Sequence, residues 1–404
     1  MADTYTYKVR DKQGKVQQGE LEADSTKLVV DRLRQMGYVP IAVEKKKGAA
    51  GSKELHIFKP KAKLKDLAVF SRQFAVMINS GLSLLRALSI LEKQTESKVL
   101  AEVVGVVRHD VENGASLSAA LAKHPKTFNK LYVAMVRAGE TGGVLDSVLI
   151  QLATTIEKQV ELRQKVKSAM TYPVAVLCLV LLIVTAMLLF VVPTFKGLYA
   201  DLNGTLPLPT RILLDISEIL KKWFPLVVIA QVGLVWAFKR WIATDKGRGI
   251  WDVFKLRIPI FGTLVHKTAL VRFSRTLASL LRAGVPILES LDITSETVGN
   301  TVMVNAVKDV ASGVQRGESM GLPMSKHEIF PPMVVQMLSV GEETGAVDTM
   351  LDKVGEFYEQ EVEATVDALT SLLEPILIVV MGGAVGGMVI ALYMPMFNII
   401  NLIK

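Results

Sequence analysis

Two long apolar segments stand out from a chain that otherwise alternates apolar and polar positions with helical spacing. No charged residue occurs between Lys167 and Lys196, and none occurs between Glu374 and Lys404. A helix that crosses a bilayer needs about 20 consecutive apolar residues. The pattern therefore predicts transmembrane helices at residues 171–193 and 375–400.

A third apolar segment, WFPLVVIAQVGLVWAF, begins at Trp223 and is shorter than the other two. Basic pairs bracket it, and Trp223 and Trp241 suit a membrane interface, where tryptophan is enriched. We predict a transmembrane helix at residues 223–242. The alternative interpretations of this segment are a buried helix and a re-entrant segment.

The distribution of charge predicts the orientation of these spans, because cytoplasmic loops of membrane proteins carry an excess of lysine and arginine. Basic residues dominate just before the first span and just after the middle one, whereas the loop at 194–222 is nearly balanced. We therefore expect the N-terminus and residues 243–374 in the cytoplasm. The loop at 194–222 and the short C-terminus are expected on the opposite side.

An internal duplication connects the two halves of the chain. FSRQFAVMINSGLSLLRAL at 70–88 matches FSRTLASLLRAGVPILESL at 273–291, and AGETGGVLD at 138–146 matches VGEETGAVD at 340–348. The spacing stays at 202–203 residues over roughly 125 residues, which chance similarity cannot maintain. The sequence therefore contains one module twice.

Each copy of the module is predicted to be helical. Glycines, prolines and capping residues divide the first copy into six amphipathic segments, at about 64–80, 84–95, 98–112, 116–123, 128–138 and 144–170. We predict a mainly α, polytopic membrane protein with two six-helix cytoplasmic bundles, at 64–170 and 243–374, and three transmembrane helices. A small ββαβ domain at 1–47 and a basic linker at 48–63 precede them.

The repeated Gly-Glu phrase supplies the candidate functional residues of the cytoplasmic part. Its glycines are expected to take positive φ in a tight turn between two helices. The glutamate that follows the first glycine is expected either to accept backbone N–H bonds that lock this turn, or to contact a partner. The candidates are Gly139, Glu140, Gly142, Gly143, Gly341, Glu342, Glu343 and Gly345.

The spans supply a second set of candidates, for helix packing. Pro173 and Pro375 open the first and last spans, and the last span contains two glycine pairs four residues apart, Gly382 with Gly386 and Gly383 with Gly387. Small residues at this spacing permit close helix packing in membranes. The partner is expected to be the first span, its repeat equivalent or a second protomer; a passage for a translocating apolar helix is the alternative.

The last helices of the two copies differ in charge. The helix of the second copy is rich in aspartate and glutamate, whereas its equivalent in the first copy carries Lys158, Arg163, Lys165 and Lys167. One interpretation is two solvated faces. The other is that the helices pair through these charges, within one chain or between protomers.

The sequence offers no recognisable catalytic site. The five histidines have no metal-ligand or catalytic spacing, the single cysteine lies in an apolar run, and no P-loop is present. We therefore predict no catalytic residues, cofactor or metal, and no nucleic-acid partner, since no groove-reading motif accompanies the net charge of +8. A secondary transporter is a rival, but the spans lack intramembrane charge; a membrane-bound enzyme is a second rival, without a matching constellation.

The chain resembles a known family in several segments along nearly its whole length. They include GKVQQGELEADS, LAVFSRQFAVMINSGLSLLRAL, FNKLYVAMVRAGETGGVLDSVL, IFPPMVVQMLSVGEETGAVDTML and LLEPILIVVMGGAVGGMVIALYMPMF. They are similar to the inner-membrane platform proteins of type IV pilus assembly (the PilC family), which are related to protein F of type II secretion systems. The phrase Gly-Glu-Thr-Gly alone would be a weak signal.

This resemblance implies a multi-pass protein of the bacterial inner membrane that is not an enzyme and whose bulk is cytoplasmic, with the 194–222 loop in the periplasm. It implies a platform that couples a hexameric assembly or retraction ATPase to the insertion or removal of pilin subunits. Other inner-membrane pilus assembly proteins, membrane lipid and a homodimer or higher homo-oligomer are the remaining implied partners. A type II secretion platform that assembles a pseudopilus is the alternative.

Overall fold

The structure, a computed structural model, describes residues 3–10, 16–23, 26–45, 62–194 and 208–402. It divides into two compact units, Met1–Lys61 and Ala62–Lys404. The predicted basic linker at 48–63 lies almost entirely outside the described residues, as does the segment 195–207.

The N-terminal unit is a three-stranded antiparallel sheet with one helix. Its elements are β1 (Asp3–Arg10), β2 (Val16–Ala23), α1 (Thr26–Gln35) and β3 (Val39–Lys45), and the strand order is β2-β1-β3. The helix buries Val29 and Leu33 against Val9 of the sheet. Gly37, with φ of +80°, ends the helical segment and turns the chain into β3.

The first copy of the duplicated module contains six helices. They are α2 (Leu64–Asn79), α3 (Leu84–Gln94), α4 (Lys98–Glu112), α5 (Leu117–Ala122), α6 (Lys130–Gly142) and α7 (Leu145–Ala186). The rings of Phe70, Phe74, Phe128 and Tyr132 pack against one another in the core of this module and are almost fully buried. This is the amphipathic bundle that the apolar spacing predicts, although α6 and α7 extend beyond their predicted ends.

The second copy repeats this order. Its helices are α10 (Phe261–Arg282), α11 (Ile287–Thr297), α12 (Thr301–Gln315), α13 (Gly321–Met324), α14 (Pro332–Thr344) and α15 (Val347–Leu402). Phe273 and Phe330 make a tilted ring contact in its core, at the positions equivalent to Phe70 and Phe128. Two helices, α8 (Leu208–Ile242) and α9 (Asp245–Arg257), connect the copies.

Two helices among the described residues are long and apolar enough to cross a membrane, Leu145–Thr194 and Val347–Met394. The first is α7, which runs without a break through Pro173 and continues through a π-helical turn at Met187–Val191. The second is α15. In both, a helix of the bundle and the predicted span are one continuous element, so a movement of the bundle helix is transmitted directly to the predicted span.

The second half of the predicted connection at 194–222 is helical, because helix α8 already begins at Leu208. The segment 208–222 is amphipathic, and its inner face is held by the two long helices. Thr210 donates to the carbonyl of Ala391, and Ser217 donates to the carbonyl of Leu188. These buried contacts stabilise the helical part of the connection between the first two predicted spans.

The predicted charge pairing between the two last helices is present at one position. Lys165 of α7 forms an ion pair with Glu363 of α15. Several other acidic residues of α15 pair instead with α10 of their own module; these are Asp348, Asp352, Glu359 and Glu361. The reason is that α10 presents Lys267, Arg275 and Arg282 along the face that contacts α15.

We expect Arg275→Met to destabilise the protein by about 2–4 kcal/mol, and Arg72→Met by about 1 kcal/mol. These arginines are equivalent in the two copies, but Arg275 is 11% exposed and bonds Glu359 and Asp352, whereas Arg72 is 37% exposed and bonds one carboxylate, Glu157. Thermal unfolding of the purified full-length variants measures the difference. Equal losses would contradict the expectation.

The stability that Arg275 and Asp352 contribute is expected to depend on pH. Burial raises the pKa of Asp352, but Arg282 and Arg275 outweigh it and hold that pKa below its ordinary value. A carboxyl whose pKa is lowered by folding contributes stability above its unfolded pKa and loses it as the pH falls through the folded pKa. The stability difference between wild type and Arg275→Met is therefore expected to narrow below the ordinary pKa of aspartate.

Candidate functional site

Each repeated phrase forms a turn between two consecutive helices that pack against each other; we call these turns the first corner (residues 139–145) and the second corner (residues 341–347). Helix α6 ends in Gly143 and helix α14 ends in Gly345, both left-handed with φ of +69°. The N–H of Val144 donates to the carbonyl of Gly139 at 3.0 Å, and the N–H of Ala346 donates to Gly341 at 2.9 Å. The two copies therefore use the same glycine-terminated helix end.

The prediction that all the glycines of the phrase take positive φ is wrong. Gly139, Gly142 and Gly341 lie inside their helices, and only Gly143 and Gly345 adopt the left-handed conformation. The helices extend further than predicted because a single left-handed residue is sufficient to reverse the chain.

Gly139 and Gly341 are required instead by the close approach of the following helix. Both are buried. A Cβ at Gly139 would lie 3.1 Å from Cβ of Val148 and 3.2 Å from Cα of Leu145. A Cβ at Gly341 would lie 2.9 Å from Cα of Val347, which no relaxed structure tolerates. These glycines thus set the distance between the bundle helix and the long membrane helix.

Glu140 accepts two backbone N–H bonds, as one of the alternatives for this residue predicts, but not from its own turn. Its carboxylate accepts from the N–H groups of Leu117 at 2.5 Å and Ser118 at 3.0 Å, at the start of helix α5. Ser116 caps the next free N–H of that helix, from Ala119. A carboxylate at a helix N-terminus also interacts favourably with the helix dipole. Glu140 therefore ties the end of α6 to the start of the preceding helix, α5.

Glu342 makes the equivalent connection in the second copy, but only in part. One of its oxygens accepts from the N–H of Met320 at 2.7 Å. The other is buried without a hydrogen-bond partner among the described residues. The carboxylate of the second corner therefore accepts fewer hydrogen bonds than that of the first corner.

The outer side of each corner is exposed. Thr141, Gly142 and Gly143 are exposed in the first corner, and Glu343, Thr344 and Gly345 take the equivalent places in the second. The Glu343 carboxylate has no hydrogen-bond or ion-pair partner among the described residues. Each corner thus combines a fixed, buried base with an accessible tip.

The two corners lie at equal distances from the predicted membrane. Tyr172 follows Leu145 by 27 residues along α7, and Pro375 follows Val347 by 28 residues along α15. At 1.5 Å per residue, each corner stands about 40 Å from the start of its span. Both corners are therefore expected at the end of the bundles that is farthest from the predicted membrane.

The glycine pairs of the last predicted span have no neighbouring helix among the described residues of the single chain. A Cβ placed on any of Gly382, Gly383, Gly386 and Gly387 would meet no atom within 4 Å. The first span therefore does not cover this face in the described part of the chain, and packing against a second protomer or another apolar helix stays a prediction. Pro173 is buried within α7, and Pro375 lies within α15 without interrupting it.

One feature of the site has no signal in the sequence pattern. A cleft of about 1390 Å³ lies between α7 and α10 and is lined by Arg163 and Arg272. Neither guanidinium has an ion-pair partner among the residues that the structure describes. Burial, together with the positive charge of Arg163, lowers the pKa of Arg272. Two unpaired guanidinium groups can hold an anionic group, but Arg272 falls on Val69 in the first copy, so the duplication does not reveal the pair.

Comparisons with known proteins agree with the duplication. Residues 70–193 and 273–395 each match the family model for protein F of the type II secretion system (T2SS), and residues 1–44 match the model for the N-terminal domain of that protein. Each of the two larger matches covers one module and its long helix.

Relatives match over the full length of the chain. The type IV pilus assembly protein PilC of Thermus thermophilus is 45% identical, over 98% of this chain and 98% of the relative. PilC of Myxococcus xanthus is 39% identical over 99% and 96%, and the type II secretion system protein F of Pseudomonas aeruginosa is 34% identical over 99% of each chain. The chain therefore belongs to the type II secretion system protein F family, which includes the PilC proteins of type IV pilus assembly.

Proposed function

We propose that this chain is the inner-membrane platform of a type IV pilus assembly machine. The observation that carries the proposal is the full-length identity of 45% and 39% to two proteins named for type IV pilus assembly. In this role the chain carries out no reaction of its own. It couples a cytoplasmic hexameric ATPase to the insertion or removal of pilin subunits, within a complex that contains further inner-membrane assembly proteins.

We propose three transmembrane helices, with both modules in the cytoplasm. The middle span is residues 223–242 of α8. Apolar side chains are exposed around this helix, among them Ile229, Leu234 and Trp236. A contiguous apolar surface of this kind is stable in lipid and not in water. A third crossing also returns the chain to the side of the first module, so that both corners face one compartment.

The corners are the proposed contact with the ATPase. They are the membrane-distal ends of the two helices that continue into the spans, so a force applied at a corner is transmitted about 40 Å along a rigid element. Gly139, Glu140, Gly341 and Glu342 fix the base of the corners; the exposed residues Thr141, Gly142, Gly143, Glu343 and Gly345 are the proposed contact surface.

We expect a cysteine at Thr141 or at Glu343 to capture the ATPase in native membranes. Both positions are exposed, and Cys178, the only native cysteine, is first replaced by serine. A photoactivatable thiol cross-linker is attached, and the captured proteins are identified by mass spectrometry. The matched control is Ser168→Cys, which is exposed on α7 but lies 23 residues beyond Leu145, next to the start of the predicted span.

Capture of a hexameric ATPase at Thr141 and Glu343, but not at Ser168, supports the assignment of the corners. Labelling of the corner cysteines by an impermeant reagent added outside intact cells would overturn both the topology and the function.

The second candidate function is a type II secretion platform, supported by the 34% identity to protein F of Pseudomonas aeruginosa. Deletion of the gene in its own host separates the two. Loss of surface pili with unchanged secretion of exoproteins supports the pilus platform, and the reverse result supports the secretion platform.

A further inference from the structure

The two modules of one chain meet through a small buried polar contact. The hydroxyl groups of Thr155 on α7 and Ser279 on α10 lie 3.0 Å apart, and both residues are buried. The side-chain amide of Gln151 donates to the carbonyl of Ser279 at 3.1 Å. Next to this contact, Leu280 of the second module is fully buried in the core of the first. One face of α7 therefore packs on one face of α10.

The duplication identifies the equivalent faces of the other two helices. The ion pairs Arg72–Glu157 and Arg275–Glu359 occupy the same place in the two modules and fix the register. In this register Ser279 of α10 corresponds to Val76 of α2, 203 residues earlier. Thr155 of α7 corresponds to Phe357 of α15, 202 residues later.

These equivalent faces are exposed and apolar. Val76 is 53% exposed, and Phe357 is 44% exposed. Val69, seven residues before Val76 and thus on the same face of α2, is also exposed. The contact inside the chain joins Ser279 and Thr155. At the equivalent positions of α2 and α15 the residues are Val76 and Phe357, which have no such partner in the described part of the chain. Exposed aromatic and aliphatic residues of this kind are typical anchors of protein interfaces.

We infer that α15 of one copy packs on α2 of a second copy, and so repeats between chains the contact that α7 makes with α10 inside each chain. The occupant is a second copy because α15 is the only described helix besides α7 that carries this repeated face. Val76 and Phe357 of the same chain do not cover each other, since both are exposed. The inference deepens the proposed function, because it rests on the platform acting as a homo-oligomer.

The contact is heterologous, because one copy contributes α15 and the other contributes α2. Repeated heterologous contacts close into a ring when the rotation allows it. Both α7 and α15 enter the predicted membrane at their C-terminal ends. The movement that superposes the first module on the second therefore leaves the predicted membrane on the same side of both modules. Copies joined in this way stand side by side in one bilayer.

Disulfide cross-linking tests the inference in the full-length protein with Cys178→Ser. One tagged copy carries Val76→Cys, and a second copy with a different tag carries Phe357→Cys. We expect a disulfide between the two differently tagged chains when they are co-expressed and oxidised in native membranes. The positive control is Thr155→Cys with Ser279→Cys in one chain, which is expected to form the equivalent disulfide within the chain.

A second experiment uses Phe357→Asp, whose exposed position allows the chain to fold. We expect it to weaken self-association in detergent at least tenfold, as measured by the concentration dependence of the oligomer. The matched control is Val106→Asp on α4, which is also exposed and whose equivalent in the second copy is already Asp309. The control is expected to associate like wild type.

The inference is overturned if the control disulfide forms and the Val76–Phe357 disulfide does not, or if Phe357→Asp associates like wild type. It is also overturned if Val76→Cys alone yields a disulfide between two identical positions, which indicates a symmetric contact. These outcomes are independent of capture of the ATPase at the corners, so failure of the interface and failure of the proposed function are distinguishable.

Discussion

Gly341→Val is expected to destabilise the second module by about 3 kcal/mol and to abolish assembly of surface pili. The new Cβ would lie 2.9 Å from Cα of Val347, so the start of α15 has to move away from α14. Because α15 continues into the last span, this shift displaces the membrane part as well as the corner. Thermal unfolding of the purified full-length variant and immunodetection of pili on the cell surface measure the two effects.

Gly142→Ala is the control for the stability part of this prediction. Gly142 belongs to the same phrase and precedes the left-handed Gly143, but it lies inside α6 without a positive φ, and its added Cβ would be 3.4 Å from Val144. We expect stability equal to or slightly above that of wild type, since alanine favours a helix over glycine. Piliation at wild-type level in Gly341→Val would disprove the structural role of the close approach.

Glu140→Ala is expected to destabilise the first module by about 2–3 kcal/mol, because two N–H groups of α5 lose a charged acceptor. Glu342→Ala is expected to cost about 1 kcal/mol, since Glu342 makes one such bond and its other oxygen is buried without a partner. Hydrogen exchange at the amides of Leu117 and Ser118 locates the effect, and thermal unfolding gives its size.

Glu140→Gln separates this structural role from a direct contact with the ATPase. An amide oxygen retains one acceptor, so the variant is expected to recover part of the lost stability. If Glu140→Ala left hydrogen exchange and unfolding unchanged but removed capture of the ATPase at Thr141, the side chain would act on the partner and not on α5.

The duplicated phrase shows where prediction from sequence reaches its limit. Its position between two amphipathic helices follows from the apolar spacing, and the structure places a helix end there in both copies. The sequence does not distinguish which glycine reverses the chain and which one admits a neighbouring helix. Glycine is required in both cases: a positive φ angle is needed where the chain reverses, and the absence of a Cβ is needed where the next helix comes close.

The partner of Glu140 shows a second limit. A carboxylate beside a turn is expected to bond the nearest free amides, and here those of the same turn were the expected partners. The amides that it binds lie 22 and 23 residues earlier in the chain. They are brought to Glu140 by the packing of α5 against α6, which no local pattern encodes.

The sequence by itself determined the two long apolar helices, the six-helix composition of each module and the duplication that relates them, because hydrophobic period and repetition are properties of the chain read in order. Only the tertiary structure decided that α7 and α15 are each a single element from corner to span, and that α7 packs on α10. It also decided that the equivalent faces of α2 and α15 remain exposed in the single chain. The contacts between helices join residues that are far apart in the chain. The two modules have similar sequences but different neighbours, because α7 of the first module packs on α10 of the second while the equivalent faces of α2 and α15 stay exposed.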